Sequence, residues 1–261
     1  MNGLKAVIYC FGMSASRYIE YSVALKFLSP KSGQFFLEVG CGHSILPTFW
    51  QKLGMETLVL DTNRNALRWQ ARKSKEMAVT TNVAFLGDAR YLPFKDRSID
   101  AVSCISTIEH IPGDDDTKTA SEIGRVLKDD GICIMSLPLS QRRESYIRRN
   151  WAVGIPPLMQ RALTSFLPTI LSKFNVDRTC SYFERFFSQE DLDKRIIRPS
   201  QCIKEDYLTI RSGRTIKIVH QKIIPTGVLT ILEYLVAKFL TTSKQTKNAD
   251  AIIMKLKKVN K

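Results

Sequence analysis

The chain has 261 residues and a formal net charge of +14, and 44% of its residues are hydrophobic. A hydrophobic fraction of this size is typical of a globular chain and excludes an intrinsically disordered one, except near the ends. This length predicts one large α/β domain and does not require a second.

The positive charge is concentrated in the second part of the chain. Residues 1–138 contain 16 Lys and Arg against 15 Asp and Glu, whereas residues 139–261 contain 23 against 10. We expect this second part to face an anionic partner, which is a phosphorylated or acidic substrate, a nucleic acid or a membrane surface. Ordinary solvated helix faces are the alternative explanation of the same composition.

The cysteine pattern and the apolar segments bear on location. The six cysteines form no C-x-x-C pair, which argues against a zinc site and predicts free thiols in a reducing, cytoplasmic compartment. No secretory signal is evident near Met1. The stretch 223–240 has apolar residues at helical spacing, so we predict an amphipathic helix there, with peripheral membrane contact through 226–240 as the alternative.

Taken in order, the segments of the chain predict one domain built on a parallel sheet. Residues 1–33 are predicted to form a helical cap, with a helix at 14–21. From 34 to 138, short apolar runs alternate with helical patterns, which is typical of βαβ units. The five strands predicted in this cofactor-binding core are 35–40, 57–61, 83–88, 99–106 and 131–138.

The pattern changes after Pro138. The prolines of 154–175 predict one or two short helices within a substrate-cap insertion over 139–187. Residues 188–261 are predicted to hold helices and two last strands, at 204–211 and 251–259. The predicted fold is therefore an α/β, doubly wound, mostly parallel seven-stranded sheet with a helical insertion after strand five, in a single domain over 1–261.

Two helix starts carry acidic or hydroxyl residues. The run Asp114, Asp115 and Asp116 predicts an N-cap and negative charge at the start of the helix after the fourth strand, rather than a metal site. Ser188 predicts the cap of a later helix.

A glycine turn follows the first strand in FFLEVGCGHSILP. Gly40 and Gly42 allow positive φ and close approach of the backbone to a ligand. In open α/β sheets, ligands lie beyond the carboxyl ends of the strands, where the strand order reverses. A nicotinamide dinucleotide is disfavoured, because Ile45 stands where its fingerprint needs a third small residue.

The segments FLEVGCGHS, TLVLDTN, FLGDARYLPF, IDAVSCISTIEHI and VLKDDGICIMSLP resemble, in this order, the motifs of class I S-adenosylmethionine-dependent methyltransferases. The resemblance is to the small-molecule, type 11-like branch that includes ubiquinone and menaquinone biosynthesis enzymes. Ser44 replaces the last glycine of the first motif. The resemblance is dense over 34–138 and implies a Rossmann-like methyltransferase fold, an enzyme, and S-adenosyl-L-methionine as cofactor.

The resemblance also implies roles for individual residues. Glu38 would help to hold the methionine part of the cofactor, Asp61 would accept from both ribose hydroxyls, and Asp88 would accept from the adenine amino group. Arg17, on the upstream helix, is a candidate for the cofactor carboxylate, and Tyr21 for closing the site, with a solvated helix as the alternative. The predicted cofactor-binding residues are Glu38, Gly40, Gly42, Asp61, Thr62, Asp88, Ala89, Ile105, Ser106 and Arg17.

His110 is the candidate general base, because an unperturbed imidazole titrates near neutrality. A packing role is its alternative, and His43 and His220 are weaker candidates. For the acceptor we predict a small or lipid- or glycan-linked anionic molecule under the insertion. Its predicted ligands are Arg142, Arg143, Arg148 and Arg149.

Nucleic acid is disfavoured as the acceptor, because the motifs of nucleic-acid amino and pyrimidine methyltransferases are absent from the sequence. An RNA or protein methyltransferase and a non-catalytic S-adenosylmethionine-binding subunit are the alternative functions.

Overall fold

A computed structural model of the chain describes residues 15–79, 83–140, 146–150, 181–211, 241–243 and 249–259. The strands are β1 (Phe35–Val39), β2 (Glu56–Asp61), β3 (Val83–Leu86), β4 (Ile99–Ile105), β5 (Leu127–Pro138), β6 (Tyr146–Asn150), β7 (Ser181–Phe186), β8 (Cys202–Arg211), β9 (Thr241–Ser243) and β10 (Ala251–Lys258). The helices are α1 (Ala15–Phe27), α2 (Leu46–Lys52), α3 (Arg64–Glu76), a 3₁₀ turn (Ile108–His110), α4 (Asp115–Val126), α5 (Gln189–Leu192), a π-helical turn (Asp193–Ile197) and α6 (Arg198–Ser200).

The main sheet has the strand order β3-β2-β1-β4-β5-β10-β8-β9. Strands β1 to β5 pair in parallel, and β10 is inserted antiparallel between β5 and β8. The predicted doubly wound, mostly parallel sheet with seven strands is confirmed, and the three-residue strand β9 extends its edge. Strand order reverses between β1 and β4, which places the expected ligand crevice at their carboxyl ends.

Both faces of the sheet are covered, so its strands alternate between two hydrophobic layers. On β1, Phe36 packs on the layer under α1 and α2, while Leu37 packs on the layer under α4. Helix α1 contributes Ile19 and Val23 to the first layer. Gly124 of α4 lies so close to α6 that an added Cβ would stand 2.0 Å from the carbonyl oxygen of Ser200. The helix therefore needs a glycine at this contact.

The described parts of the insertion form strands. β6 and β7 pair antiparallel in a small separate sheet, and the sequence analysis predicted no strand in either segment. The helices predicted within 154–175, and the amphipathic helix predicted at 223–240, lie outside the described residues. The division of the chain into four segments of one domain stays a prediction.

The insertion leaves and rejoins the sheet at one point. The amide of Phe187 donates to the carbonyl of Pro138 at 3.0 Å, and the amide of Ser140 donates to the carbonyl of Phe187 at 2.8 Å. Leu139 and Phe187 are both buried. The two ends of the segment 140–186 are therefore anchored side by side.

The two predicted caps have different outcomes. The Ser188 side chain accepts from the amide of Asp191, so this cap is confirmed. Asp114 occupies the N-cap position of α4, but its side chain makes no capping hydrogen bond. The predicted N-cap position and the acidic first turn, with Asp115 and Asp116, are confirmed, while the Asp114 carboxylate lies 2.8 Å from Arg195 Nη2 instead of bonding to the start of the helix.

Four cysteines, Cys41, Cys104, Cys133 and Cys202, are buried and free in the described residues. Within the same ranges, no helix has the length and hydropathy needed to cross a bilayer.

Candidate cofactor site

A cavity of about 420 Å³ opens at the carboxyl ends of β1 to β4. Its lining residues come from the loops after these four strands. They are Gly40, Leu60, Asp61, Thr62, Gly87, Asp88, Ala89, Arg90, Ser106, Thr107, His110, Ile111 and Pro112.

The glycine turn after β1 is shaped by close contact with the loop after β4. Gly40 has φ +68°, and a Cβ on it would lie 2.1 Å from Cγ2 of Thr107. The Thr107 hydroxyl donates to the Gly40 carbonyl at 3.3 Å. Gly42 also has positive φ, at +44°. A side chain at Gly40 would therefore both strain the backbone and displace Thr107.

Two polar side chains fix this turn from opposite sides. Asp61 Oδ2 accepts from the amide of Gly42 at 2.8 Å, and Oδ1 accepts from the amide of Asn63 at 2.7 Å. The fully buried amide of Gln70, on α3, donates to the carbonyls of Ser44, Gly42 and Cys41. Asp61 thus holds the turn by accepting from a backbone amide, and Gln70 holds it by donating to backbone carbonyls.

Asp88 is held by an arginine two residues away. Arg90 Nε lies 3.0 Å from Oδ1 of Asp88, and Nη2 lies 2.6 Å from Oδ2. The third nitrogen of the guanidinium, Nη1, lies 2.5 Å from Oδ2 of Asp115 on α4. These hydrogen bonds lower the pKa of Asp88. The Asp88 carboxylate is therefore charged at neutral pH and fixed at the cavity.

Glu38 lies beneath the site rather than in the cavity lining. It is 1% exposed, and its carboxylate accepts a hydrogen bond from the hydroxyl of Ser103. Burial raises the pKa of Glu38 to about 8, against opposing contributions from Ser103, Arg17 and Ser44. This position favours the indirect form of its predicted role, through the turn, over direct contact with a ligand.

His110 ends the 3₁₀ turn after β4 and lines the cavity with a half-exposed ring. Its Nε2 atom lies 3.9 Å from Oε1 of Glu109, which is 2% exposed. Burial raises the pKa of Glu109 to about 8. His110 is placed where a base could reach a ligand, and its catalytic role stays a prediction.

Helix α1 reaches the loop after β4 through polar side chains. Arg17 Nη1 donates to Oε2 of Glu20 at 3.1 Å and to the carbonyl of Ile105 at 3.3 Å. Glu20 Oε1 accepts from the hydroxyls of Ser106 and Ser136, each at 2.8 Å. Arg17 is thus occupied within the protein and does not line the cavity.

Tyr21, predicted to close over the site, is buried instead. Burial raises the pKa of its phenol to about 12, with an opposing hydrogen bond from Ser44. The tyrosine therefore belongs to the hydrophobic layer between α1 and the sheet.

The structure brings most of the predicted cofactor residues together. Those that line the cavity described above are Gly40, Asp61, Thr62, Asp88, Ala89 and Ser106, and the predicted base His110 lines it as well. Gly42, Glu38, Ile105 and Arg17 support this cavity from behind. Arg142 and Arg143 lie outside the described residues, as does His220. For Arg148 and Arg149 only the backbone, in β6, is described.

Gln70, Arg90, Thr107 and Glu20 are site residues that the sequence analysis missed. For Gln70 a signal existed, because it occupies the buried stripe of α3 together with Ala66 and Leu67. A polar residue on an apolar stripe indicates a specific buried partner. The other three carry no such local signal.

Comparisons with known proteins agree with this arrangement. Residues 37–135 match the family model described as a methyltransferase domain. Over 116 residues, the chain is 27% identical to the ubiquinone biosynthesis O-methyltransferase of Paraburkholderia phymatum, which covers 44% of this chain and 49% of that protein. The chain spans less than half the length of the curated relatives it matches first.

Two solved structures show the same fold at low identity. The cyclase SpnF superposes with a TM-score of 0.60 at 15% identity, over 94% of this chain and 81% of that one. The 1,6-didemethyltoxoflavin-N1-methyltransferase of Burkholderia thailandensis, solved with S-adenosylhomocysteine bound, gives a TM-score of 0.57 at 12% identity. This superposition covers 95% of this chain and 80% of that one.

The class defined by the fold is that of Rossmann-like methyltransferase domains. Residues 37–135 carry the match to the methyltransferase family model, and the resemblance to class I S-adenosylmethionine-dependent methyltransferases of the type 11 branch is confirmed for this part of the chain.

Proposed function

We propose that the protein is an S-adenosylmethionine-dependent methyltransferase that acts on a small or lipid- or glycan-linked anionic acceptor. The observation that carries the proposal is that Gly40, Asp61, Asp88 and Ala89 meet in one cavity, with His110 at its edge. These residues belong to four separate loops, so their convergence is a property of the fold and not of sequence proximity.

The residues present fit the cofactor. A cavity of about 420 Å³ lies within the usual range for small-molecule sites. Oδ1 of Asp61 accepts one backbone amide and retains a second lone pair, which could accept from a ribose hydroxyl, while Oδ2 accepts from the Gly42 amide and, at 3.9 Å, from the Cys41 thiol. Asp88 is a fixed acceptor for an amino group, and the turn at Gly40 offers bare backbone. When bound, S-adenosylmethionine would supply an electrophilic methyl group on a sulfonium.

The protein's own residues would then position the acceptor, since methyl transfer is an in-line displacement that depends on orientation. His110 would accept a proton from an acceptor whose methylated atom carries one. Its place in the lining of the cavity that also contains Asp61 and Asp88 supports this role.

The insertion is our proposed acceptor side. Arg185 of β7 donates to the carbonyl of Gly113 at 2.7 Å, so this strand is tied to the loop that carries His110. The excess of 23 basic over 10 acidic residues in 139–261 supports an anionic acceptor. Arg142, Arg143, Arg148 and Arg149 are the proposed contacts. A cytoplasmic location and peripheral membrane contact through 226–240 belong to the same proposal.

Ligand-dependent thermal unfolding tests the cofactor. S-adenosylhomocysteine or S-adenosylmethionine at about a hundred times its dissociation constant should add about 2.7 kcal/mol of apparent stability, and NAD should add none. Asp61→Ala should abolish the shift. Asp96→Ala is the matched control, because Asp96 is exposed and pairs with Arg125 away from the cavity. A shift with NAD alone would overturn the proposal.

Turnover separates an enzyme from a binding subunit. Consumption of S-adenosylmethionine is measured with anionic lipids, glycolipids and small phenols, and with RNA and protein as competing acceptor classes. Activity on a small or lipid-linked acid that is lost in the variant with all four arginines replaced by alanine supports the proposal. Cofactor binding with turnover on RNA or protein alone would replace it with the alternative function.

A further inference from the structure

Ser106 is a lining residue of the cofactor cavity with an unusual backbone conformation. It follows β4 directly, lines the cavity, and has a left-handed backbone with φ +45°. This conformation is costly for a residue with a Cβ and persists only where the surroundings impose it. The hydrogen bonds that Ser106 makes with neighbouring polar groups show what imposes this backbone conformation.

A closed set of hydrogen bonds fixes the amide and the hydroxyl of Ser106. The amide donates to Oγ of Ser136 at 2.9 Å and to the carbonyl of Ser136 at 3.3 Å, and the hydroxyl donates to Oε1 of Glu20 at 2.8 Å. The Ser136 hydroxyl in turn donates to the same Glu20 oxygen at 2.8 Å. Glu20 therefore accepts directly from Ser106 and also orients the hydroxyl that accepts from the Ser106 amide.

Glu20 is well placed to act as a rigid anchor. It is 5% exposed, and Ser136 is fully buried. The second carboxylate oxygen of Glu20 pairs with Arg17 at 3.1 Å, and Arg17 also donates to the carbonyl of Ile105. A buried carboxylate with these partners is strongly held, because leaving its partners unpaired is expensive.

We propose that Glu20 is a positioning residue for cofactor binding, which holds Ser106 in its left-handed conformation through paired hydrogen bonds to Ser106 and Ser136. This inference rests on the proposed function, since it concerns the same cavity. It assigns to helix α1 a task in shaping the site, in addition to covering the sheet.

The test is a double-mutant cycle with S-adenosylhomocysteine, measured by titration calorimetry. Glu20→Ala should weaken binding about tenfold, the equivalent of about 1.4 kcal/mol. The affinity of Ser106→Gly is the reference for the second background of the cycle, because glycine adopts positive φ without support. In the Ser106→Gly background, Glu20→Ala should cost less than about threefold, so that the two changes are strongly coupled.

Further variants separate positioning from general stability. Glu20→Gln keeps an acceptor oxygen and should retain most of the affinity. Ser136→Ala should also weaken binding, as Glu20→Ala does. This second variant replaces Glu20→Ala in the test if Glu20→Ala does not fold. Asp100→Ala is the matched control, because its carboxylate also joins two elements, through Phe35 and Lys128, at the other end of β4. It should lower stability and leave the affinity unchanged.

The outcomes are distinct. If the wild type does not bind S-adenosylhomocysteine, the proposed function fails. If the wild type binds and Glu20→Ala costs the same in both backgrounds, Glu20 does not act through the Ser106 backbone, and the inference is overturned. Unchanged affinity in Glu20→Ala would overturn it as well.

Discussion

The cavity is bordered by two groups of carboxylates with opposite surroundings. On the α1 side, Glu38 and Glu109 are buried, and burial raises the pKa of each to about 8. On the α4 side, Asp88 and Asp116 are held by arginines, and hydrogen bonds from Arg90 lower the pKa of Asp88. Protonation therefore stabilises Glu38 and Glu109 in the folded chain, whereas ionisation stabilises Asp88.

This difference shows that the acidic residues near one cavity have different structural roles. The arginines on the α4 side fix charged acceptors and join loops. On the α1 side, the hydroxyl of Ser103 donates to Glu38 and opposes the rise in the Glu38 pKa that burial causes.

The largest expected effect is a stability loss at alkaline pH that comes from the α1 side. A carboxyl whose pKa rises from 4.5 in the unfolded chain to about 8 binds its proton more tightly when folded. Its contribution is full below pH 4.5 and is lost as the pH rises through 8, with a slope of at most about 1.4 kcal/mol per pH unit for each group.

Urea unfolding from pH 5 to pH 9 measures this slope. The double variant Glu38→Gln and Glu109→Gln should flatten it, since glutamine does not titrate. Glu56→Gln, at an exposed position on β2, is the control and should leave the slope unchanged. A double variant with the wild-type slope would show that other groups control the alkaline stability.

The next effect concerns the buried ion pairs of the α4 side. Asp116 is fully buried and lies 2.6 Å from Nη2 of Arg195 and 3.3 Å from Nε of Arg185. Asp116→Ala should cost about 3 to 5 kcal/mol in urea unfolding, because Arg185 and Arg195, whose side chains are largely buried, lose the fully buried carboxylate that they share. Asp114→Ala is the control, because Asp114 pairs with the same Arg195 but its side chain is 90% exposed. This variant should cost less than about 1 kcal/mol. Equal losses in the two variants would mean that burial does not set the strength of these pairs.

The smallest effect concerns Arg90 and ligand selectivity. Arg90→Ala should release Asp88, raise its pKa, and weaken S-adenosylhomocysteine about tenfold, because a hydrogen bond to a charged group is worth about 1.5 to 3 kcal/mol. Binding of S-inosylhomocysteine, which lacks the amino group, should change much less. The measurement is calorimetric titration of both compounds, with Arg97→Ala, whose side chain pairs with Asp129, as the control. An equal loss for both compounds would argue against an adenine contact at Asp88.

The comparison also shows what a sequence can reveal. Strands β1 to β5 were predictable because their apolar runs and the helices between them are local patterns. Asp61 and Asp88 were placed correctly at the cavity because each directly follows such a strand. The hydrogen-bond partners of these aspartates were harder to predict. Arg90 is near Asp88 in sequence, but Arg90 also binds Asp115, which belongs to another element.

Contacts between distant segments account for most of what was missed. The acidic run at the start of α4 indicated its N-terminus, but not that Asp114 and Asp116 pair with Arg195 and Arg185, which lie about 70 to 80 residues further along the chain. The Glu20 contacts with Ser106 and Ser136 are similarly remote. β6 and β7 pair across a long excursion, so neither strand has a neighbouring hairpin signal to identify it.

The joined ends of the insertion have a consequence for how freely this protein can vary. Pro138 and Ser140 meet Phe187 through backbone hydrogen bonds, so the sheet continues across this point whatever the intervening chain contains. Doubling the number of residues between two chain ends that are joined in this way costs only about 0.6 kcal/mol. The chain between β6 and β7 can therefore change in length at small thermodynamic cost, while β7 keeps the contacts of Arg185 with Gly113 and Asp116 and the cofactor loops keep their geometry.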